Sequence, residues 1–467
     1  DTAYDYQGHI GIEIRGQSSQ MFPKKSYAVE TRDANGEDLN TSLLGMPEEN
    51  DWILYAPFSD KSMLRNYISY YIGRQLRTYA TRTAYCELIV NGEYRGVYIL
   101  LEKIKKDSER VNIASLNPQD ISGDELTGGY IIKVDKKDEY FQYGEDGWLS
   151  APEPSYPNAM DITFQFYDPR ADEMHVLQKD YIQQYVTDFE QTLLSSEFSN
   201  PNTGYQNFIN TTSFVDQLIL SEISKEVDKY RFSTYFYKEK ITDGGKLFAG
   251  PPWDFNLGYS NVDYWPEGND YTGWLFEQIQ PHDMSIMYWG MRLMESSYFE
   301  NLFYTRWFAL RNSTISNEAL EYQLDSITSY IDEAQHRNYE RWPILGTYVW
   351  PNYNWQGNDY NDEVLFFKNW LFNRLEWIDN NISGQNLYPQ ATLSGQYPLL
   401  NIDLNEEYFS RPALKPKFFD LLGDTAGIHI DSVIYKNSSS VSLIMSGEEK
   451  ERSNIAVNIH AKVLNTY

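Results

Sequence analysis

The chain has 467 residues, more than one ordinary compact domain holds, and predicts one large and one smaller domain. Its 67 acidic and 39 basic residues give a formal net charge of -28, a surface that repels nucleic acid and anionic membranes. No apolar run approaches the length of a membrane span. The single cysteine, Cys86, excludes an intrachain disulfide framework, and six scattered histidines argue against a His-rich metal site.

The high counts of Tyr (39) and Trp (12) in an acidic chain favour a protein exported from a bacterium. The first residue is not Met, and a strand-like pattern begins almost at once. We therefore expect a chain whose signal peptide has been removed, and we expect it to be a monomer.

The first part of the chain is predicted to be mostly sheet. Alternation of Ile10, Ile12 and Ile14 indicates a strand, and the polar, basic turn SSQMFPKK joins it to a second strand, SYAVET. The segment DWILYAPF is typical of a third strand. Asn91-Gly92 is a strong hairpin signal between two further strands.

Helical spacing of apolar residues predicts one helix in this first part, from Lys61 to Leu76, with Ser62 or Asp60 as its cap. Later segments with the same periodicity predict helices at 180–196 and 213–225 and a mainly helical region from 285 to 382. Beyond 386, short alternating strands predict a small all-β module. We expect an α+β fold of two lobes, the first sheet-rich with one helix and the second helical.

Two carboxylates mark a candidate site. Asp228 and Asp254 stand at the two ends of a predicted hairpin, STYFYKEKITDGGKLFAG, which turns at 243–245. Because a hairpin brings its ends together, both carboxylates are expected to face one cleft. Phosphoryl transfer uses that arrangement, with one carboxylate near the attacking hydroxyl and another holding Mg²⁺ on the phosphates. Protein kinases place an Asp before, and Asp-Phe-Gly after, a comparable hairpin; here the second element is Asp-Phe-Asn.

The turn after the first strand is a candidate phosphate cradle. Gly16, Ser18 and Ser19 let backbone N–H groups approach an anion, and Lys24 and Lys25 supply positive charge. A solvated hairpin tip is the alternative interpretation of the same residues.

Glu102 and Lys103 end a predicted strand where a hinge between lobes would fall, and they are further nucleotide-binding candidates. Charged strand ends are more commonly plain surface.

Two other functions stay open. A cell-surface protein is one, binding glycan or protein through the Trp-rich segment TYVWPNYNWQGNDY, although such loops also pack between helices. A glycoside hydrolase that uses paired carboxylates is the other.

Five ordered segments resemble the CotH family of atypical, kinase-like domains. They are IEIRGQSSQMFPKKSYAVE, DWILYAPFSDKSMLRN, ELIVNGEYRGVYILLEKIK, GGYIIKVD and GPPWDFNLGYSN. The segment SEISKEVDKYRFSTYFYK is similar to the form found in Bacteroidetes members. The resemblance implies a kinase-like domain, which we assign to 1–385. The short strands beyond it are expected to form a small immunoglobulin-like β-sandwich at 386–467. The resemblance also implies a site that uses ATP with Mg²⁺ or Mn²⁺ to phosphorylate serine on a protein substrate.

The resemblance assigns roles to particular residues. Asp228 matches the catalytic acidic residue and Asp254 the metal-binding aspartate, while Lys25 is the first candidate for phosphate contact. Ser233 stands where ordinary kinases carry an Asn metal ligand, and Asn256 is expected to compensate. The first-lobe helix contains no Glu, so the usual Lys–Glu ion pair cannot form from it; Arg65, on that helix, is predicted to contact phosphate instead.

Overall fold

The protein is described here from a computed structural model. It covers residues 4–76, 79–150, 162–278, 287–353 and 357–383 and, with short gaps, 390–459. Sheets dominate its first part, helices its middle and a small all-β module its end, so the predicted α+β class is confirmed. Within these residues, no helix is both long enough and apolar enough to span a membrane.

The first lobe is built on a five-stranded antiparallel sheet in the order β1-β2-β3-β5-β4. Both predicted hairpins are confirmed. Asn91 and Gly92 have φ values of 53° and 79°, the left-handed pair that a two-residue hairpin turn requires. The strands are β1 (His9–Arg15), β2 (Ser26–Arg32), β3 (Asp51–Tyr55), β4 (Thr83–Val90) and β5 (Glu93–Glu102).

Helix α1 (Arg65–Gln75) is the α-helix of this lobe in the described residues. It begins four residues later than the pattern predicted, with Leu64 at the N-cap position. Neither predicted cap residue adjoins the helix, but Asp60 still accepts a first-turn bond, from the Arg65 N–H at 2.9 Å. The start of the helix is therefore fixed by a carboxylate that reaches over from the preceding turn.

The second lobe holds a sheet that the sequence pattern did not predict, in the order β10-β9-β6-β8-β7. Its central strands pair segments far apart in the chain, such as Ile132 with Phe236, so no local signal marks the sheet. The predicted hairpin at its edge is confirmed. The strands are β6 (Tyr130–Val134), β7 (Gly147–Leu149), β8 (Thr163–Asp168), β9 (Thr234–Lys238) and β10 (Leu247–Ala249).

Helices follow strand β8, and all three predicted helical regions, 180–196, 213–225 and 285–382, contain them. They are α2 (Val176–Leu194), α3 (Thr211–Ser224), α4 (Leu275–Gln278), α5 (Trp289–Met294), α6 (Ser297–Arg311), α7 (Asn317–Tyr330), α8 (Asp332–Arg341) and α9 (Tyr360–Asn381). One hydrophobic core extends from Ile53 to Ile378 and includes residues of both lobes. Helix α8 returns to pack against β5, so the second half of the chain also covers the first sheet.

The C-terminal module has a separate core around Ile402, Phe419 and Leu443. Its four-stranded sheet has the order β11-β12-β15-β14, and β13 pairs with β16. The 385/386 boundary lies outside the described residues, and that boundary and the immunoglobulin-like class stay predictions. The strands are β11 (Gln390–Gln396), β12 (Leu399–Asn405), β13 (Phe419–Gly423), β14 (Ile428–Asn437), β15 (Ser440–Gly447) and β16 (Ile455–Ile459).

Candidate active site

The loop between α3 and β9 and the segment after β10 form the candidate site. Helix α3 ends at Ser224, and Lys225 adopts a left-handed conformation (φ 44°) that turns the chain into the loop. Strands β9 and β10 then run antiparallel, with Phe236 paired to Ala249. Asp228 precedes this hairpin and Asp254 follows it, so both lie at its open end.

Asp228 is held by an arginine three residues further along the loop. The Nε and Nη2 atoms of Arg231 both donate to Asp228 Oδ1, at 2.9 and 2.6 Å. The Arg231 guanidinium also lies 4.3 Å from the centre of the Trp265 ring, a cation–π distance. Both bonds end on Oδ1, and the structure gives Oδ2 no hydrogen bond from a described residue.

Asp254 has the opposite environment. Its φ of 59° lies in the left-handed region, which is uncommon for a residue with a side chain. Its N–H donates to the Tyr70 hydroxyl at 3.1 Å, and the next N–H, of Phe255, donates to Asn66 Oδ1 at 2.6 Å. Helix α1 therefore fixes the backbone of this segment, while the Asp254 carboxylate makes no hydrogen bond or ion pair to a described residue.

Burial makes the Asp254 carboxylate costly to ionise. Burial raises its pKa, and repulsion from Asp228 and Asp135 adds to the rise, while Lys229 and Arg15 oppose it. The charge of Asp228 therefore acts on Asp254, and the predicted shared cleft of the two carboxylates stays a prediction. A cation bound here would remove the cost of ionisation.

Glu226 and Lys229 complete the cluster. Burial raises the pKa of Glu226 to about 8, with Lys229 opposing the rise and Asp228 and Asp254 adding to it. Glu226 Oε2 accepts the Leu257 N–H at 2.7 Å, which links the loop to the segment after Asp254. The Lys229 ammonium donates to the carbonyl oxygens of Trp253 and, at 3.4 Å, Ser233.

A scan against family models matches residues 12–378 to CotH kinase protein. The matched part covers both lobes and all the residues of this site. The chain belongs to the CotH kinase family. A search of curated proteins returned no match. Family membership makes the chain kinase-like. The matched region ends at residue 378, so the C-terminal β module lies outside it.

Three charged residues predicted from the sequence are engaged within the CotH domain. Arg65 is buried, donating to Asp60 Oδ1 at 2.6 Å and to the carbonyls of Gly258 and Tyr259 at 3.1 and 3.2 Å. Glu102 is fully buried, and its Oε2 accepts the Arg82 N–H at 2.9 Å. Lys103 forms an ion pair with Asp51 at 2.9 Å. Their nucleotide-binding roles stay predictions, but each side chain has a structural partner.

The predicted phosphate turn lies at the end of β1. Ser18 and Ser19 are in a single 3₁₀ turn, and Gly16 (φ 100°) precedes it; a side chain there would clash with Ser19 Oγ. The Lys25 ammonium donates to the Gln20 carbonyl within the turn. Lys136, from the second lobe, donates to Ser18 Oγ at 3.3 Å. The turn therefore reaches the second lobe, and phosphate binding by it stays a prediction.

Ser233 and Asn256 flank the two aspartates. Ser233 has a left-handed backbone (φ 49°) and accepts from Lys229 through its carbonyl, and the Asn256 carbonyl accepts from Asn261 Nδ2 at 2.7 Å. The structure gives neither side chain a hydrogen bond to a described residue. Their role as metal ligands stays a prediction.

A divalent metal fits the chemistry of these donors. Among the described residues, no group of three or more His, Cys, Asp or Glu side chains is arranged to hold an ion. Mg²⁺ in phosphoryl-transfer sites is commonly held by only one or two carboxylates together with substrate phosphates. The Asp254 carboxylate has no hydrogen-bond partner among the described residues, and together with Asp228 and with Asn256, two positions along the chain, it matches that smaller donor set.

Sequence reasoning missed Glu226, Lys229, Arg231 and Arg15. The first three flank Asp228 in the charged run KEVDKYR, and a cluster of charges between a helix and a hairpin was the available signal. Glu226 and Lys229 are almost completely buried, which no pattern of sequence letters reveals. Arg15 ends a strand as an ordinary edge charge, and its place beside Asp254 depends on how the two lobes meet.

Proposed function

We propose that this CotH protein transfers a phosphoryl group from ATP to a serine hydroxyl of a protein substrate, with Mg²⁺ or Mn²⁺ bound at the cleft. One observation carries the proposal: Asp254 is a partly buried carboxylate that accepts no hydrogen bond from a described residue, although it stands on a left-handed backbone and is repelled by Asp228. Uncompensated carboxylates are costly inside proteins, so a site that preserves one is built for a cation.

Each residue then has a distinct task. Asp254 would hold the metal, with Asn256 and Ser233 as further oxygen donors. The metal supplies positive charge for the phosphate oxygens as charge develops during transfer. Asp228 would orient the acceptor hydroxyl and accept its proton through Oδ2, because Arg231 occupies Oδ1. Helix α1 fixes the Asp254 segment through Asn66 and Tyr70, which makes the Lys–Glu pair of ordinary kinases unnecessary for placing that segment.

The test combines nucleotide binding with turnover. For the wild type we expect an ATP-dependent rise in unfolding temperature that requires Mg²⁺ or Mn²⁺, because a ligand that binds only the folded state stabilises it. Asp254→Asn should lose the metal-dependent part of that rise and reduce transfer from labelled ATP by about 10² to 10³-fold. Asp228→Asn should reduce transfer while retaining ATP binding.

Asp243→Asn provides the matched control, because Asp243 lies in the turn of the same hairpin, away from the cleft. Phosphoamino-acid analysis of the labelled product would identify serine. A wild-type protein that shows no metal-dependent response to ATP would refute the proposal.

A second candidate is a cell-surface binding protein with a kinase-like fold, and one surface feature favours it. Tyr264 and Trp350 stack with ring centres 6.0 Å apart and planes 13° apart, and both rings are partly exposed. Paired aromatic rings suit glycan or protein contacts. Glycan-array binding that survives combined Asp228→Ala and Asp254→Ala substitution would favour this function. Export from a bacterium, which the composition favours, is compatible with both proposed functions.

A further inference from the structure

The cations predicted to bind phosphate are engaged elsewhere. Arg65 bonds to Asp60 and two backbone carbonyls, Lys25 to the Gln20 carbonyl, and Lys103 to Asp51. A phosphate chain beside Asp254 would need at least one cation whose donors are not already used. The proposed function therefore leaves open which side chain would neutralise the nucleotide.

Arg15 has the required position. It is the last residue of β1, and strand alternation directs its side chain away from the face that carries Ile10, Ile12 and Ile14. Its guanidinium lies 5.6 Å from the centre of the Trp253 ring. Trp253 immediately precedes Asp254, so the β1 end and the metal-site segment meet at this contact.

Arg15 also has unused donors. The structure gives its guanidinium no hydrogen bond or ion pair to a described residue, and it is too far from Asp254 for a direct ion pair, although its charge still lowers the pKa of that carboxyl. A partly buried arginine over the Trp253 ring is thus close enough to act on the charge of Asp254 without pairing with it. A phosphate with its metal ion would bring positive charge to Asp254 and negative charge to Arg15.

We propose that Arg15 binds the phosphate chain of the nucleotide, as the cation that closes the site opposite Asp254. The inference rests on the proposed ATP-dependent function and adds a binding residue that the sequence patterns did not mark. Its contact with the Trp253 ring uses no N–H donor, so the planar fork of the guanidinium can form two parallel bonds to phosphate oxygens. Gly16 follows directly, so the chain can turn sharply beside a bound phosphate without a side chain in the way.

The experiment compares Mg·ATP dissociation constants, measured by calorimetry, for the wild type, Arg15→Met, Arg15→Lys and Arg32→Met. Methionine keeps apolar contact with Trp253 but removes the charge, and lysine keeps the charge but loses the fork. We expect Arg15→Met to weaken Mg·ATP binding by about tenfold to hundredfold, the range for losing hydrogen bonds to a charged group. Arg15→Lys should fall between Arg15→Met and the wild type.

Arg32→Met is the matched control, since Arg32 lies on the neighbouring strand and pairs with Glu30, and its affinity should equal that of the wild type. Arg15→Met or, if that variant does not fold, Arg15→Lys binding Mg·ATP as tightly as the wild type would overturn the inference. Equal weakening in the Arg32 control would overturn it too, because the effect would then be general. A wild type that binds no ATP refutes the proposed function instead, so the two failures are distinguishable.

Discussion

Glu222 and Asp254 lie in the same lobe and have contrasting environments. Glu222, on α3, and its ion-pair partner Arg374 are fully buried, 3.0 Å apart. The Glu222 carboxylate also accepts the Tyr230 hydroxyl at 2.6 Å and two backbone N–H groups at the start of α4. Asp254 is less buried but receives no hydrogen bond from a described residue. The better-paired carboxylate is structural, and the poorly paired one belongs to the candidate site.

The contrast shows how a functional carboxylate can be recognised in this fold. Burial alone is a poor criterion, because both carboxylates are removed from solvent, Glu222 fully and Asp254 in part. The number of hydrogen bonds that each carboxylate accepts does separate them. A structural carboxylate accepts enough hydrogen bonds to stabilise its ionised form, whereas a ligand-binding carboxylate has oxygens available for the ligand. The two carboxylates should therefore respond in opposite ways to substitution.

The largest effect is expected from Glu222→Gln. It leaves the Arg374 charge buried without its partner, which should lower the free energy of unfolding by about 3 to 5 kcal/mol. The matching change, Asp254→Asn, should leave the metal-free protein equally or more stable, because the raised pKa of Asp254 shows that the folded state disfavours its ionised form. Denaturant unfolding of both variants without metal measures the difference. Comparable destabilisation by both changes would contradict the comparison.

The sequence predicted one half of this comparison better than the other. Asp228 and Asp254 were predicted because a hairpin is a local structure whose ends must meet, and because the Asp-Gly-Gly sequence at 243–245 indicates its turn. Glu222 and Arg374 belong to helices far apart in the chain, and their pairing depends on how α9 packs against α3. The same limit hid the second-lobe sheet, the Arg65 bonds to the 258–259 backbone and the position of Arg15.

Glu190 lies between Glu222 and Asp254 in how well it is paired, because it accepts hydrogen bonds but has no ion pair among the described residues. It gives a pH-dependent prediction. Its carboxylate accepts from Ser150 Oγ at 2.6 Å and from Trp289 Nε1 at 3.0 Å, and it has no cation partner among the described residues. Burial raises its pKa from 4.5 to about 7. The folded state therefore binds this proton more tightly than the unfolded state, and the stabilisation present below pH 4.5 is lost as the pH rises through 7.

The loss is at most about 3 kcal/mol, at 1.36 kcal/mol for each pKa unit. Unfolding measured between pH 4.5 and 8 should show a smaller decline in Glu190→Gln than in the wild type. Glu173→Gln, at an exposed site, should retain the wild-type slope. Parallel pH profiles for the wild type and Glu190→Gln would show that Glu190 does not carry this proton.

The smallest effect tests the link between the two sides of the site. Lys229 donates to the carbonyls of Ser233 and Trp253, so one buried ammonium ties together two segments that contain left-handed residues. Lys229→Met should let these segments separate and reduce kcat about tenfold, equivalent to about 1.4 kcal/mol, while changing the KM for ATP less. Lys229→Arg should restore part of kcat, since it can donate to the same carbonyls.

Lys240→Met serves as the control, because Lys240 lies at the far end of the same hairpin and pairs with Glu125. A rise in KM without a fall in kcat would mean that Lys229 contributes to nucleotide binding and not to the alignment of Asp228 with Asp254. A lower kcat, a higher KM for ATP and a lower unfolding temperature together would show that Lys229, like Glu222, is a structural charge. The ratio of the two kinetic effects therefore decides to which side of the comparison this buried lysine belongs.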